Sequence, residues 1–274
     1  MSEINLSKLP PPEIVQQKSA ETILAERLAT LKGMGVDIDN FTASDPIYRN
    51  QLAASYREAL IRQDANEQSL GNMLAFAKGA ELDHIAATYY HVERLPGEQD
   101  EPFKERIQLS PEGSSVAGPE GKYLFEARST SALVKDASFF SPQPIHGEVT
   151  ILSTEGDGTP SQALIDAVAL HLMDDGVRPQ TDVIAVVAPT ILNYSITAQL
   201  VIGDGPDTSE VLSQATKELQ DYVNRQHKLG GQVVLAGVYG ALMVEGVTDI
   251  ILDNFSEVRA SKTEAPYCTE LLIT

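Results

Sequence analysis

The sequence predicts an α+β protein: a helical N-terminal region followed by two small tandem α+β domains. Three observations predict it. Up to about residue 130, apolar residues recur at helical spacing. From Leu133 onward, short β-rich runs replace that spacing. Beyond that point one scheme occurs twice: "STEGDGTPSQALIDAV" (153–168) and "VIGDGPDTSEVLSQAT" (201–216) each leave a β-like run through Gly-Asp-Gly and enter a helix, offset by 47 residues. Two copies are too few for a solenoid, so they read as two small domains. The expected divisions are a helical region at 1–95 and α+β domains at 96–190 and 191–274.

The elements follow in order. After "LPPP", held out of helix by its prolines, residues 13–32 carry Leu24, Leu28 and Leu31 at helical spacing, and Gly33 and Gly35 end the run. Asp45 before Pro46 is an N-cap followed by N1. Residues 46–78 place Leu52, Tyr56 and Leu60 on one stripe, resumed by Leu70, Met73, Leu74 and Ala77. As one helix this run would be about 50 Å long, with Gly71 as a candidate break. So narrow a stripe among Arg49, Arg57, Glu58, Arg62, Asp64 and Glu67 suits packing of helix on helix, either in a small bundle or as an arm that pairs with another subunit.

Residues 79–98 add a short helix and a Pro-Gly break near Pro96. A helix around Phe103 and Leu109 follows, then a Gly/Ser loop and a helix opened by Pro119. "LVKDASFFS", "GEVTILST" and "TDVIAVVAP" read as strands around the helix "SQALIDAVALHLM". Next come the long strand "NYSITAQLVI" and an amphipathic helix with Val211, Leu212, Ala215, Leu219, Tyr222 and Val223 inward. "VVLAGVYGALMVE", "GVTDIILD" and a closing strand near "CTELLIT" complete the chain.

Bulk properties narrow the function. With 20 Lys+Arg against 39 Asp+Glu, the net charge of −19 carries no basic cluster, which argues against direct nucleic-acid binding. Cys268 is the only cysteine; one thiol makes neither an intrachain disulfide nor a multi-cysteine zinc site and suits a reducing compartment. The first residues lack a signal-peptide pattern, and no run approaches the roughly 20 apolar residues of a membrane span. The expectation is a soluble protein made in a cytoplasm, without membrane insertion.

The motifs that could carry chemistry fail their tests. In both Gly-Asp-Gly turns the third glycine of a dinucleotide fingerprint is missing. Pro160 and Pro206 remove backbone donors, and Asp157 and Asp204 would repel an anion. As corners they make sense: glycines supply positive φ, the aspartates turn the chain, and Ser161 or Thr208 caps the helix. In "GSSVAGPEGKY" a P-loop would need Gly where Val116 stands and Ser or Thr where Tyr123 stands. "DIDNF" has Thr42 and Tyr48 where a calcium loop needs Gly and Glu. His84 and His91 lie seven apart where a zinc helix needs four, while His146, His171 and His227 sit in separate elements. Cys268 reads as a core thiol. The acidic sets Asp174-Asp175, Glu98-Asp100-Glu101 and Asp249-Asp253 read as solvated surface. No catalytic, cofactor-binding or metal-binding residue is assigned, and no cofactor is expected.

Several stretches nevertheless resemble one known family. They are "LSKLPPPEIV", "SDPIYRNQLAASYREALIRQDANEQSLGNMLAFAKGAELDHIAATYYHVERLPGE", "EPFKERIQLSPEGSSVAGPEGKYLFEARS", "SFFSPQPIHGEVTILS", "GVRPQTDVIAVVAPT" and "HKLGGQVVLAGVYGALMVEGV". Most specific are the Arg106-Ile107 helix leading to the Ser/Ala-Gly-Pro loop, and Val177-Arg178-Pro179 followed by Thr181-Asp182 and a strand; Gln180 departs, standing where Leu is expected. The chain is similar over nearly its whole length to the baseplate J family of contractile phage tails, whose P2-like members are wedge proteins. The resemblance implies structural work: a wedge subunit of a tail baseplate in phage or tailocin, self-associating in a ring around the tail hub and linking it to fibre and sheath components. It also implies that the helices bundle with other wedge subunits. The rival reading is a hydrolase or nucleotide-binding enzyme built on the α/β segments; a ligand-induced rise in melting temperature distinguishes it.

Overall fold

The computed structural model describes residues 6, 9–115, 120–174, 176–177, 182–203 and 207–274. Its contacts divide the chain into two units, Met1–Glu93 and Arg94–Thr274.

The first unit is helical. Helix α1 (Ala20–Gly33) begins where Ser19 Oγ accepts the Thr22 N–H, and α2 (Pro46–Gly71) where Asp45 Oδ1 accepts those of Ile47 and Tyr48. Helix α3 (Gly79–Ile85) runs on into a π-helical turn (Ala86–Tyr90) that His91 ends in the left-handed region.

Two sequence expectations are corrected here. The first helix starts at Ala20 and not at residue 13, because Asn66 of α2 takes up the backbone of residues 14 and 15 in a bend. Its Oδ1 accepts the Ile14 and Val15 N–H groups at 3.1 and 2.8 Å, and its Nδ2 donates to Val15 O at 2.7 Å. The second helix stops at Gly71, so its 26 residues span about 39 Å. A Cβ at Gly71 would stand 2.5 Å from Glu81 Oε2, the far end of an exposed side chain.

The second unit holds two α/β layers with separate cores. In the first, α4 (Asp100–Gly113) and α5 (Glu120–Thr130) precede β1 (Val134–Gln143) and β2 (His146–Ser153), and α6 (Gln162–Leu172) leads to β3 (Val183–Val187). The sheet order is β1-β2-β3, with β1/β2 antiparallel and β2/β3 parallel. A parallel pair needs a crossover, which α6 supplies. Tyr123 and Ala127 of α5, Leu164, Val168 and Leu172 of α6, and Val149 and Ile151 of β2 close the core. Tyr123 stacks on Phe139 at 4.8 Å and donates its hydroxyl to Asp182.

In the second layer, β4 (Thr190–Ile202), α7 (Thr208–Gln226), β5 (Gln232–Val233), α8 (Leu235–Leu242), β6 (Val247–Leu252), β7 (Val258–Arg259) and β8 (Glu264–Ile273) follow in order. Strand β4 lies between β6, antiparallel, and β8, parallel. Helix α7 packs Ala215, Leu219, Tyr222 and Val223 against Ile196, Ala198 and Leu200 and also buries Val211, a side chain such as Leu219 contributing about 1.5–3 kcal/mol on burial. The cap of α7 is Asp207, whose Oδ1 accepts the Ser209 N–H at 2.9 Å; Thr208, the residue expected there, is the first helical residue.

Candidate functional site

The first Gly-Asp-Gly turn is closed to an anion. Gly156 and Gly158 take φ of +60° and +96°. Two of the turn's own donors are engaged: Gly158 N–H meets Glu155 O, and Thr159 N–H meets Asp157 Oδ1 at 2.9 Å. The Thr159 bonds hold the Asp157 carboxyl below its usual range. Ser161 Oγ accepts the Leu164 N–H, capping α6 as expected. A Cβ on Gly158 would sit 2.5 Å from Leu152 and 2.9 Å from His227, so the turn packs against protein. The second turn's Asp204, Gly205 and Pro206 lie outside the described residues, as do Val116, Pro119, Asp175, Arg178, Pro179, Gln180 and Thr181.

The other sequence candidates do not converge. His84, His91 and His146 are exposed in separate elements. His171 Nε2 lies 2.9 Å from Glu126, whose carboxylate raises the imidazole's pKa. Cys268 is half-buried beside the β4 core, donates to Glu270 O, and is pushed up by burial. In "DIDNF", Asp37 accepts the Asp39 N–H and the Asn40 amide, while Asp39 pairs with Lys32 at 2.7 Å. Among the described residues, no three His, Cys, Asp or Glu gather as a metal site, and no helix is long and apolar enough to cross a membrane.

One acidic set departs from the solvated reading. Glu98 and Arg106 are buried, at 4% and 3% side-chain exposure, in a two-pronged pair of 2.8 and 2.7 Å. Glu98 Oε2 also accepts the Leu95 N–H, Arg94 donates to Glu98 O, and both arginines lie over the Phe103 ring, at 4.6 and 5.1 Å. Asp100 pairs with Arg94 and Glu101 with Lys104. This clamp fixes the Pro96-Gly97 turn to α4 and makes Arg94 the start of the second unit. Neither the turn nor the eight-residue separation of the partners betrays it in the sequence.

A second polar assembly joins the two α/β layers. Lys135 of β1 donates to His227 Nδ1 at 2.9 Å, and His227 Nε2 donates to Asp157 O at 3.1 Å. That arrangement requires a neutral imidazole protonated on Nε2, and burial with the Lys135 charge lowers its pKa. Asp136 accepts the Leu229 N–H, Ser138 donates to Lys262 O, and Lys262 pairs with Glu120. The two layers are thus tied to each other by hydrogen bonds.

In the first unit a polar network runs along α1 and α2, beside the buried Ala20, Ile23 and Leu24 of α1. Arg27 reaches Gln51 and Glu58, Glu58 also holds Arg62, and Ser55 is fully buried between them. Part of the apolar stripe falls away from this network: Tyr56 and Leu60 are 53% and 52% exposed, Leu52 and Leu70 are half-buried, and Ile47 and Ile61 are open on the opposite flank. Large apolar side chains left in water along an ordered helix mark an interaction surface.

A protein with an engaged turn, paired charges and apolar surface on ordered elements belongs to the class of assembly parts. The comparisons with known proteins make this particular. Residues 43–98 match the Baseplate J-like N-terminal domain and residues 115–188 the Baseplate J-like central domain. The chain is 34% identical to "Baseplate protein J" of Escherichia phage P2, over 98% of this chain and 97% of that protein. The chain belongs to the baseplate J family; it is a structural baseplate component and not an enzyme. Among solved structures, a chain of the anti-feeding prophage (AFP) baseplate is similar at a TM-score of 0.45 and 12% identity; the match covers 65% of this chain and 43% of that one.

Proposed function

We propose that this chain is a wedge subunit that joins other copies of itself in a ring around the tail hub and links the hub to fibre and sheath components. The observation that carries the reading is the near end-to-end match to the P2 baseplate protein. The exposed stripe of α2 supports a role for the first unit in binding neighbouring wedge subunits. The second unit, tied internally through Lys135, His227 and Asp136, supplies the ring contacts. Assembly takes place in the host cytoplasm before the particle is complete.

Deletion of residues 1–93 tests the division of labour. The cut leaves Arg94 and Leu95 with their Glu98 clamp. The remainder is expected to fold and to lose its co-purified wedge partner. Pull-down of that partner at wild-type yield would remove the role given to α2.

A further inference from the structure

One face of the second sheet is covered by α7 and α8; the other faces water. By register, Thr197, Gln199 and Val201 of β4 share that outer face with Asp249 and Ile251 of β6 and with Glu270 and Leu272 of β8. Val201, Ile251 and Leu272 are 42%, 48% and 48% exposed, so three aliphatic side chains lie open around Thr197 and Gln199 on a regular sheet. Asp249, Asp253 and Glu270 are exposed around it, Asp249 also accepting the Ile250 N–H. The three strands contain no Lys or Arg.

Such a face selects its partner by charge. Two copies brought together on this face would oppose carboxylates with nothing to neutralise them, a costly juxtaposition of like charge. A surface carrying Lys or Arg between aliphatic side chains would instead cover Val201, Ile251 and Leu272 and satisfy the interleaved carboxylates. We propose that this outer sheet face docks a basic surface of a different baseplate subunit. The proposal rests on the baseplate reading and adds the face and the chemistry of its occupant.

A photo-cross-linking residue placed at Gln199 of the full chain, carried into tail particles by complementation, tests it. The expected product joins this chain to a peptide of another tail subunit with more Lys and Arg than Asp and Glu. The set Asp249→Lys, Asp253→Lys and Glu270→Lys should lower the cross-link yield about tenfold or more. Matched reversals on exposed helical faces, Asp166→Lys, Glu218→Lys and Asp221→Lys, should leave it within about twofold. The gentler set Asp249→Asn, Asp253→Asn and Glu270→Gln keeps side-chain shape, guards against a folding defect, and should give an intermediate fall. A cross-link to a second copy of this chain, a cross-link to an acidic peptide, equal losses from both reversal sets, or no cross-link in particles that contain the chain would overturn the proposal alone. Absence of the chain from the particles would overturn the baseplate reading with it.

Discussion

Replacing Glu98 by Ala probes the clamp that begins the second unit. The substitution leaves the Arg106 guanidinium at 3% exposure without its carboxylate, and leaves the Leu95 N–H without its acceptor. Breaking a buried pair from one side costs about 3–5 kcal/mol, because the remaining charge stays desolvated. For a unit of this size, 1 kcal/mol moves the melting temperature by about 2–4 °C, so Glu98→Ala should lower it by roughly 6–20 °C. Differential scanning calorimetry of the full chain measures this directly; the chain has no tryptophan to report by fluorescence. Removing both charges, as Glu98→Leu with Arg106→Met, should recover most of the loss, since an apolar pair of similar volume carries no desolvation penalty. A loss below about 1 kcal/mol for Glu98→Ala, or a double variant as unstable as the single ones, would refute the reasoning.

Three further predictions follow from single sites. His227 is held neutral with a lowered pKa, so the unfolded chain takes up its proton first as pH falls below about 6.5. Its stabilising contribution is therefore present above that pH and lost on acidification, and the stability advantage of wild type over His227→Gln, from urea titrations at pH 8 and pH 5, should shrink towards pH 5. Ile145 is a β-branched, exposed residue at φ +64°; Ile145→Asn should raise stability by about 1 kcal/mol by relieving that backbone conformation, read as an increased urea midpoint. Gly158→Ala, at φ +96° with Leu152 and His227 in the way, should cost about 2 kcal/mol or more in the same titration.

What could be read from the sequence depended on whether a segment's partners were local. Helix α7 was legible because Val211, Ala215, Leu219, Tyr222 and Val223 fall on one face and meet an apolar sheet. Strands β1, β2 and β4 were legible from β-branched runs between turn residues. Helix α2 was misleading: Tyr56 and Leu60 of its apolar stripe face water, while much of its protein-facing side is built from Gln51, Ser55, Glu58, Arg62 and Asn66, whose partners include Arg27, Val15 and Gln16, far away in sequence. The start of α1 was misplaced for the same reason. Asp207 and Thr208 are both competent caps, and only the geometry selects Asp207.

The assembly surfaces were the least legible part. Val201, Ile251 and Leu272 come from three strands, and nothing local distinguishes them from core residues such as Leu200 and Ile250 one position away. Only the register shows which set lies against α7 and which meets water. The first Gly-Asp-Gly turn, which looked like a ligand site, is an ordinary corner, since its Gly158 and Thr159 amides are already bonded within the turn.

The central claim is that this chain is a structural part without which the tail tip is not built. Electron microscopy of tail particles made with its gene deleted tests that most directly. The account predicts tails that lack a complete baseplate, restored when the full chain is supplied in trans. Complete tail tips on particles proven free of this chain would contradict it.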